Sequence, residues 1–102
     1  MSIFDFFKPK IRFDRQVSIR GGDGTTEITA VIIDTSNNII GIDAEYKWLS
    51  SSFGVENQDW RVLDRMTVRG QNDKPHDVFA LRLADGSTRQ VYFDISAFHG
   101  RF

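Results

Sequence analysis

Few residues in this sequence have the types and spacing that acid–base or metal chemistry requires. His76 and His99 stand far apart, and neither has a second ligand at the short spacing typical of metal sites. The chain contains no cysteine, which excludes thiolate zinc sites, cysteine nucleophiles and disulfides. We therefore predict no metal, no cofactor and no catalytic residues, and we interpret the chain as a binding protein rather than an enzyme.

A group of arginines is the strongest candidate for a binding surface. Arg61, Arg65 and Arg69 alternate with apolar residues, so on a strand they would share the outward face. Arg82 and Tyr92 would face outward on the hairpin that follows, with Arg82 opposite Arg65. This pattern predicts a shallow anion-binding surface, with Tyr92 as an aromatic platform for a base, a sugar or an acidic partner. The alternative is a solvated face whose charges are neutralised by nearby carboxylates.

Asp64 interrupts an apolar row that runs from Trp60 through Val62 to Met66 and Val68. A β-bulge near Asp64 would place its carboxylate in solvent. A carboxylate buried in a cleft between helix and sheet would instead have a raised pKa, and this would favour an enzyme or a ligand sensor. The environment of Asp64 therefore distinguishes a binding module from an enzyme or a ligand sensor.

Two strands with a period of two are predicted near the N-terminus. Phe13, Val17 and Ile19 form one inward row, "GGDG" at 21–24 is a turn, and the next inward row is Ile28, Ala30 and Ile32. If Arg20 lies opposite Thr25, the two apolar rows face each other along the whole hairpin. This makes the predicted register self-consistent.

One helix is predicted between the strands. "TSNN" at 35–38 is typical of a turn, Asp43 is the expected N-cap, and Gly54 is the expected end of the helix. The apolar residues of this segment recur at helical spacing, which gives it one face to pack on a sheet: Ile42, Tyr46, Leu49 and Phe53.

The loop length of the last hairpin follows from the alternation of its apolar residues. A two-residue loop at Asp85-Gly86 would place Phe79 opposite Tyr92 and turn the second apolar row to the wrong face. A three-residue loop, Ala84-Asp85-Gly86, places Phe79 opposite Val91 and requires a left-handed glycine.

The chain is therefore expected to be a single α+β domain, residues 1–102, in the order ββ-α-βββ. The expected architecture is an antiparallel sheet of about five strands, with one helix packed on one face and a short helical turn at residues 2–8. With 40% hydrophobic and 26% charged residues, the 102-residue chain can form an ordinary core.

Two segments resemble a known family. "AVIIDTSNNIIGIDAEYKWLSSSFG", residues 30–54, resembles the opening of a PAS sensor domain, and "YFDIS" resembles its closing strand. The resemblance implies a five-stranded antiparallel sheet with a small-molecule-binding or dimerisation role.

Net charge and hydropathy limit the classes of partner and the cellular location that are expected for this chain. The net charge of −1 argues against general nucleic-acid binding, and no apolar stretch is long enough for a membrane span. Asp5 and Pro9 interrupt the first apolar run, so no secretory leader is expected and the expected location is the cytoplasm.

The two ends of the chain are unusually aromatic. Seven of the nine phenylalanines lie in residues 4–13 or 93–102. Five of them have no place on a predicted strand: Phe4, Phe6, Phe7, Phe98 and Phe102. Exposing them together would create a large apolar patch. They are expected to dock on their own sheet, to form a homodimer interface, or to anchor the chain at a membrane surface with the neighbouring basic residues.

These observations favour a small non-catalytic binding or interaction module, such as an inhibitor, adaptor or accessory protein. Its partner would be another protein, and it could form a homodimer through its aromatic termini. The alternative is a PAS-like sensor or a small enzyme that uses the helix–sheet cleft.

Overall fold

The computed structural model describes residues 17–100, and its elements confirm the α+β class. The predicted N-terminal turn, Phe4, Phe7, Phe13 and Phe102 lie outside these residues. The described residues form one helix and five strands, with a short 3₁₀ turn at Gln71–Asp73: β1 Ser18–Gly21, β2 Val31–Asp34, α1 Asn38–Phe53, β3 Trp60–Arg69, β4 Pro75–Leu83 and β5 Thr88–Asp94.

The strands form one sheet in the order β1-β2-β5-β4-β3. The β2–β5 pair is parallel, with Val31 opposite Phe93, and the other three pairs are antiparallel. The expectation of a fully antiparallel sheet is corrected at this pair. Helix α1 carries the chain back along the sheet, so β3 runs in the same direction as β2. Two reversals then return β5 beside β2 in that same direction.

The predicted register of the first hairpin is wrong. Ile19 pairs with Ile33 and Arg20 with Ile32, so Arg20 does not face Thr25. The connection runs from Gly22 to Ala30, because threonine side chains bond to neighbouring backbone groups and form a compact loop. Val31 and Ile33 form the buried row, whereas Ile28 is 82% exposed.

Helix α1 begins earlier than predicted but ends where expected. The side chain of Asn37 accepts a hydrogen bond from the backbone N–H of Ile40 at 2.9 Å, so Asn37 and not Asp43 is the N-cap. Gly54 ends the helix. The predicted apolar face is confirmed, because Leu49 is fully buried and its predicted companions Ile42, Tyr46 and Phe53 pack on the same core.

The bulge predicted in β3 is confirmed by a register shift between Val62 and Asp64. Because a bulge adds one residue, it inverts the alternation that follows it. Trp60 and Val62 face α1 before the bulge, and Arg65 faces α1 after it. Met66 is 51% exposed, so its predicted inward position is wrong.

The β4–β5 hairpin has the predicted loop and register. Phe79 lies opposite Val91, and the backbone N–H of Leu83 bonds to the carbonyl of Ser87, which leaves three residues in the loop. Gly86 has a φ of 87°, the left-handed conformation that this loop requires.

The core lies between α1 and the sheet, and the end of the chain contributes to it. Phe98 is 1% exposed, and its ring lies so close to Gly41 that a Cβ there would be 2.6 Å from ring carbons. The tail therefore docks on α1 of its own chain. No helix within residues 17–100 is long and apolar enough to cross a membrane.

Candidate binding face and buried charge network

The sheet has two faces with different roles. Phe79, Leu81, Val91 and Phe93 point toward α1 and are buried. Because side chains alternate along a strand, the intervening residues lie on the opposite face, which we call the far face. Its members on the three strands β3 to β5 include Arg61, Met66, Val68, His76, Val78, Ala80, Arg82, Thr88, Gln90, Tyr92 and Asp94.

The bulge divides the predicted arginine surface. Arg61 lies directly opposite Arg82 on the far face, whereas Arg65 lies opposite Phe79 on the helix side. The predicted pairing of Arg65 with Arg82 is therefore wrong. Arg69 lies opposite Pro75 and donates to the carbonyl of Asp73 at 2.8 Å. Of the four arginines, only Arg61 and Arg82 lie on the far face.

Arg61 and Arg82 form an exposed cross-strand pair of like charges. Within residues 17–100, no carboxylate lies at ion-pair distance from either guanidinium. The two side chains line a groove of about 150 Å³ with Asn57, Asp59 and Trp60. The Asp59 carboxylate accepts the backbone N–H of Val55 at 2.7 Å. Each guanidinium keeps a full set of donors that a carboxylate could use in a bidentate pair.

A shallow trough lies beside the arginine pair. It has a volume of about 490 Å³ and is lined by Leu63, Ala80, Thr88 and Gln90 together with Thr25 and Arg89. The small side chain of Ala80 leaves space between its neighbours, and Leu63 is 43% exposed. The trough thus combines an apolar contact with hydroxyl and amide groups next to a cationic edge.

Tyr92 is half-buried on the far face, in the row of Val78 and Met66 rather than beside the arginine pair. Its hydroxyl donates to the side-chain oxygen of Gln90 at 3.3 Å. The ring is therefore one row beyond the trough.

Asp64 lies exposed at the bulge, where its Oδ1 accepts the backbone N–H of Arg65 at 2.9 Å. This position differs from the cleft considered as one alternative in the sequence. His99 is also exposed, whereas His76 is buried at the other end of the far face.

Among residues 17–100, the buried carboxylates on the helix side of the sheet are Glu45 on α1 and Asp77 on β4, which the sequence interpretation missed. Both are almost fully buried, and the Nη2 of Arg65 reaches both of them. It donates to Asp77 Oδ2 at 2.8 Å and to Glu45 Oε1 at 3.3 Å, and Thr67 donates to Asp77 Oδ1 at 2.6 Å. The Arg65 guanidinium also lies 5.4 Å from the centre of the Phe79 ring, a cation–π contact.

Burial and the neighbouring Asp77 carboxylate raise the pKa of Glu45 to about 10. Glu45 is therefore a neutral acid at pH 7, and Arg65 and Asp77 form the ion pair. Burial alone would lower the pKa of Arg65, but Asp77 and Glu45 raise it above its ordinary value. Oε2 of Glu45 is buried, and no group of residues 17–100 hydrogen-bonds to it when Glu45 is ionised. When Glu45 is neutral, a proton on Oε2 can be donated to the Asp77 carboxylate.

A signal for half of this network exists in the sequence. Asp77 shares the period-two row of Phe79, Leu81 and Leu83, which places it on the buried face. Glu45 lies one position from Tyr46 and close to the apolar stripe of α1. The network holds α1 to the sheet.

Among residues 17–100, no three histidine, aspartate or glutamate side chains come together as metal ligands. No protein-family model, no curated protein and no solved structure matches the chain. The parallel β2–β5 pair also departs from the antiparallel sheet that the PAS resemblance implied. The fold and surface define an α+β domain with one helix-covered face and one far face that carries a cationic pair.

Proposed function

We propose that this chain is a small non-catalytic interaction module that binds an acidic segment of a partner protein on its far face. The observation that carries the proposal is the Arg61–Arg82 pair, which is exposed, directly cross-strand and without a carboxylate partner in residues 17–100. Like charges in this position destabilise a sheet. A partner carboxylate between the two guanidiniums removes this repulsion.

The neighbouring trough supports a protein partner over a simple anion. An extended acidic segment can place carboxylates on Arg61 and Arg82 while one of its apolar side chains contacts Leu63. Thr88 and Gln90 can then hydrogen-bond to its backbone. Apolar contact gives affinity, and the two arginines give orientation and fast association.

The proposal is tested by fluorescence anisotropy with a labelled peptide of alternating glutamate and leucine. We expect binding at low salt that weakens as salt is added, and at least about tenfold weaker binding to the double variant Arg61→Gln/Arg82→Gln. Arg20→Gln, which removes an exposed arginine of β1 that pairs with Asp34 at 3.6 Å, is the matched control. Equal affinity for the double variant and the control would contradict the proposal.

The homodimer through the aromatic termini stays a prediction from the sequence. Phe98 is buried on its own α1, which supports docking within one chain. Sedimentation equilibrium over a range of concentrations tests the assembly.

The cytoplasmic location expected from the sequence is part of the proposal, and fractionation of cells that express the chain tests it.

A further inference from the structure

A second cavity lies at the opposite end of the far face from Arg61 and Arg82. It has a volume of about 240 Å³ and lies where β4 begins and β5 ends. Ile28, Ala30 and Ile32 form an apolar wall. Its ionisable groups are Glu27, Lys74, His76 and Asp94.

The walls of this cavity are held in place by a contact between two loops. The Glu27 carboxylate accepts the backbone N–H of Gln71 and lies against Gly70, where a Cβ would overlap it. The 22–30 loop is thereby fixed to the turn before β4. The cavity is therefore a built feature, and its shape does not depend on exposed side chains alone.

His76 offers an acceptor to the cavity. The residue is 4% exposed, and its Nδ1 lies 3.0 Å from the carbonyl oxygen of Lys74. Because a carbonyl only accepts, Nδ1 carries the hydrogen, and Nε2 of the neutral ring is an acceptor. No side chain or backbone group of residues 17–100 bonds to Nε2.

Asp94 supplies a second acceptor. Its Oδ1 accepts the backbone N–H and the hydroxyl of Ser96, at 2.9 Å and 2.5 Å. Burial acts to raise the pKa of Asp94, but the two bonds from Ser96 and the charge of Lys74 lower it below its ordinary value. Among residues 17–100, the cation within ion-pair distance of the charged Oδ2 is the Lys74 ammonium, at 3.9 Å.

We propose that this cavity binds a small zwitterion, namely a free α-amino acid with an aliphatic side chain. The ligand ammonium donates to Asp94 Oδ2 and His76 Nε2, its carboxylate pairs with Lys74, and its side chain contacts the wall of Ile28 and Ile32. The existing Lys74–Asp94 pair is long and half-exposed, so a zwitterion can separate it and give each charge a closer partner. An amine alone leaves Lys74 without a counter-charge, and a carboxylate alone leaves Asp94 without one.

The test is an NMR titration of the full chain with L-alanine, L-valine and L-leucine, followed on the His76 ring and the backbone amides. We expect saturable shifts around His76 and Asp94 with a Kd of about millimolar or tighter for at least one of the three. Isopentylamine and 4-methylpentanoate, which are leucine without its carboxylate or its amino group, should each bind at least about tenfold more weakly. Absence of saturable shifts with all three amino acids would overturn the proposal, and so would equal binding of the amine or the acid.

Two variants test the contacts of the ligand ammonium and of the ligand carboxylate separately. Asp94→Asn keeps the Oδ1 acceptor for Ser96 but removes the charge, and Lys74→Gln removes the ammonium. Each should weaken amino-acid binding at least about tenfold, whereas Lys47→Gln on α1 should leave it unchanged. If Asp94→Asn does not fold, the exposed Lys74→Gln still decides, and unchanged affinity in that variant would overturn the proposal. This cavity is separate from the arginine pair, so failure here does not affect the proposed function.

Discussion

Replacing Glu45 with glutamine should stabilise the protein increasingly as the pH rises. Glu45 is buried between α1 and the sheet, and its pKa in the folded state is raised to about 10 from an ordinary value of 4.5. A glutamine has the same shape as the protonated acid. Its amide can donate to Asp77 and its oxygen can accept from Arg65, as the neutral Glu45 does. The variant therefore keeps the contacts of the network and loses only the titration.

The sign follows from proton binding in the two states. Between pH 4.5 and about pH 10, the folded protein holds a proton on Glu45 that the unfolded chain has released. The wild type therefore loses stability through this window as the pH rises, by up to ~1.4 kcal/mol per pH unit for one proton. The glutamine variant has no such loss. The two proteins should have similar free energies of unfolding at pH 4, within about 1 kcal/mol, and the variant should be the more stable by a growing margin above pH 5.

Urea denaturation at one-unit intervals from pH 4 to pH 9 measures this difference. Glu56→Gln, the same change at an exposed position, is the control and should not diverge from the wild type in this way. If the wild type and Glu45→Gln give parallel curves of stability against pH, Glu45 is ionised in the folded protein, and the assignment of the charges in this network is wrong.

Three further substitutions test the packing and the turn. Arg65→Met should destabilise by ~3–5 kcal/mol because it leaves the buried Asp77 without its cation, and urea denaturation at pH 7 measures this loss. Gly41→Ala should lower stability by ~1–3 kcal/mol, since its methyl group would lie 2.6 Å from Phe98 ring carbons; adding Phe98→Leu should recover part of the loss, and an additive loss would contradict the contact. Gly86→Val should cost about 1–2 kcal/mol from backbone strain alone, because a Cβ at Gly86 meets nothing within 4 Å; Gly86→Asn, which tolerates the left-handed conformation, should cost less in the same thermal melts.

Local pattern was sufficient for the last hairpin and for the packed face of α1. The apolar rows around Phe79 and Val91 allow only one loop length that keeps both rows on one face, so the register follows from counting. The stripe of Tyr46 and Leu49 at helical spacing likewise identifies the buried side of the helix. In both cases the deciding interaction lies within one short segment.

Where the fold depends on interactions between segments, the sequence pattern was insufficient. The parallel β2–β5 pair arises from the path of α1 across the sheet and two later reversals, and no local pattern encodes it. The start of α1 was missed because Asn37 and Asp43 are both good N-caps. The predicted register of the first hairpin was wrong because threonine side chains close a longer loop than the glycines suggested.

The candidate site was only partly predictable for a related reason. The bulge near Asp64 was anticipated, but its inversion of the residues that follow was not, so Arg65 was assigned to the surface and Met66 to the core. An inward arginine is stable only because Asp77 and Glu45 are there to receive it. Arg61 and Arg82, on the undisturbed side of the bulge, lie on the outward face that alternation predicts.

We propose that the far face binds an acidic partner at Arg61 and Arg82. The most direct measurement is a backbone-amide NMR titration of the full chain with the peptide of alternating glutamate and leucine. We expect saturable shifts that cluster at Arg61, Leu63, Ala80 and Arg82 and that disappear in the Arg61→Gln/Arg82→Gln variant. Shifts that cluster on α1, or that persist unchanged in that variant, would contradict it.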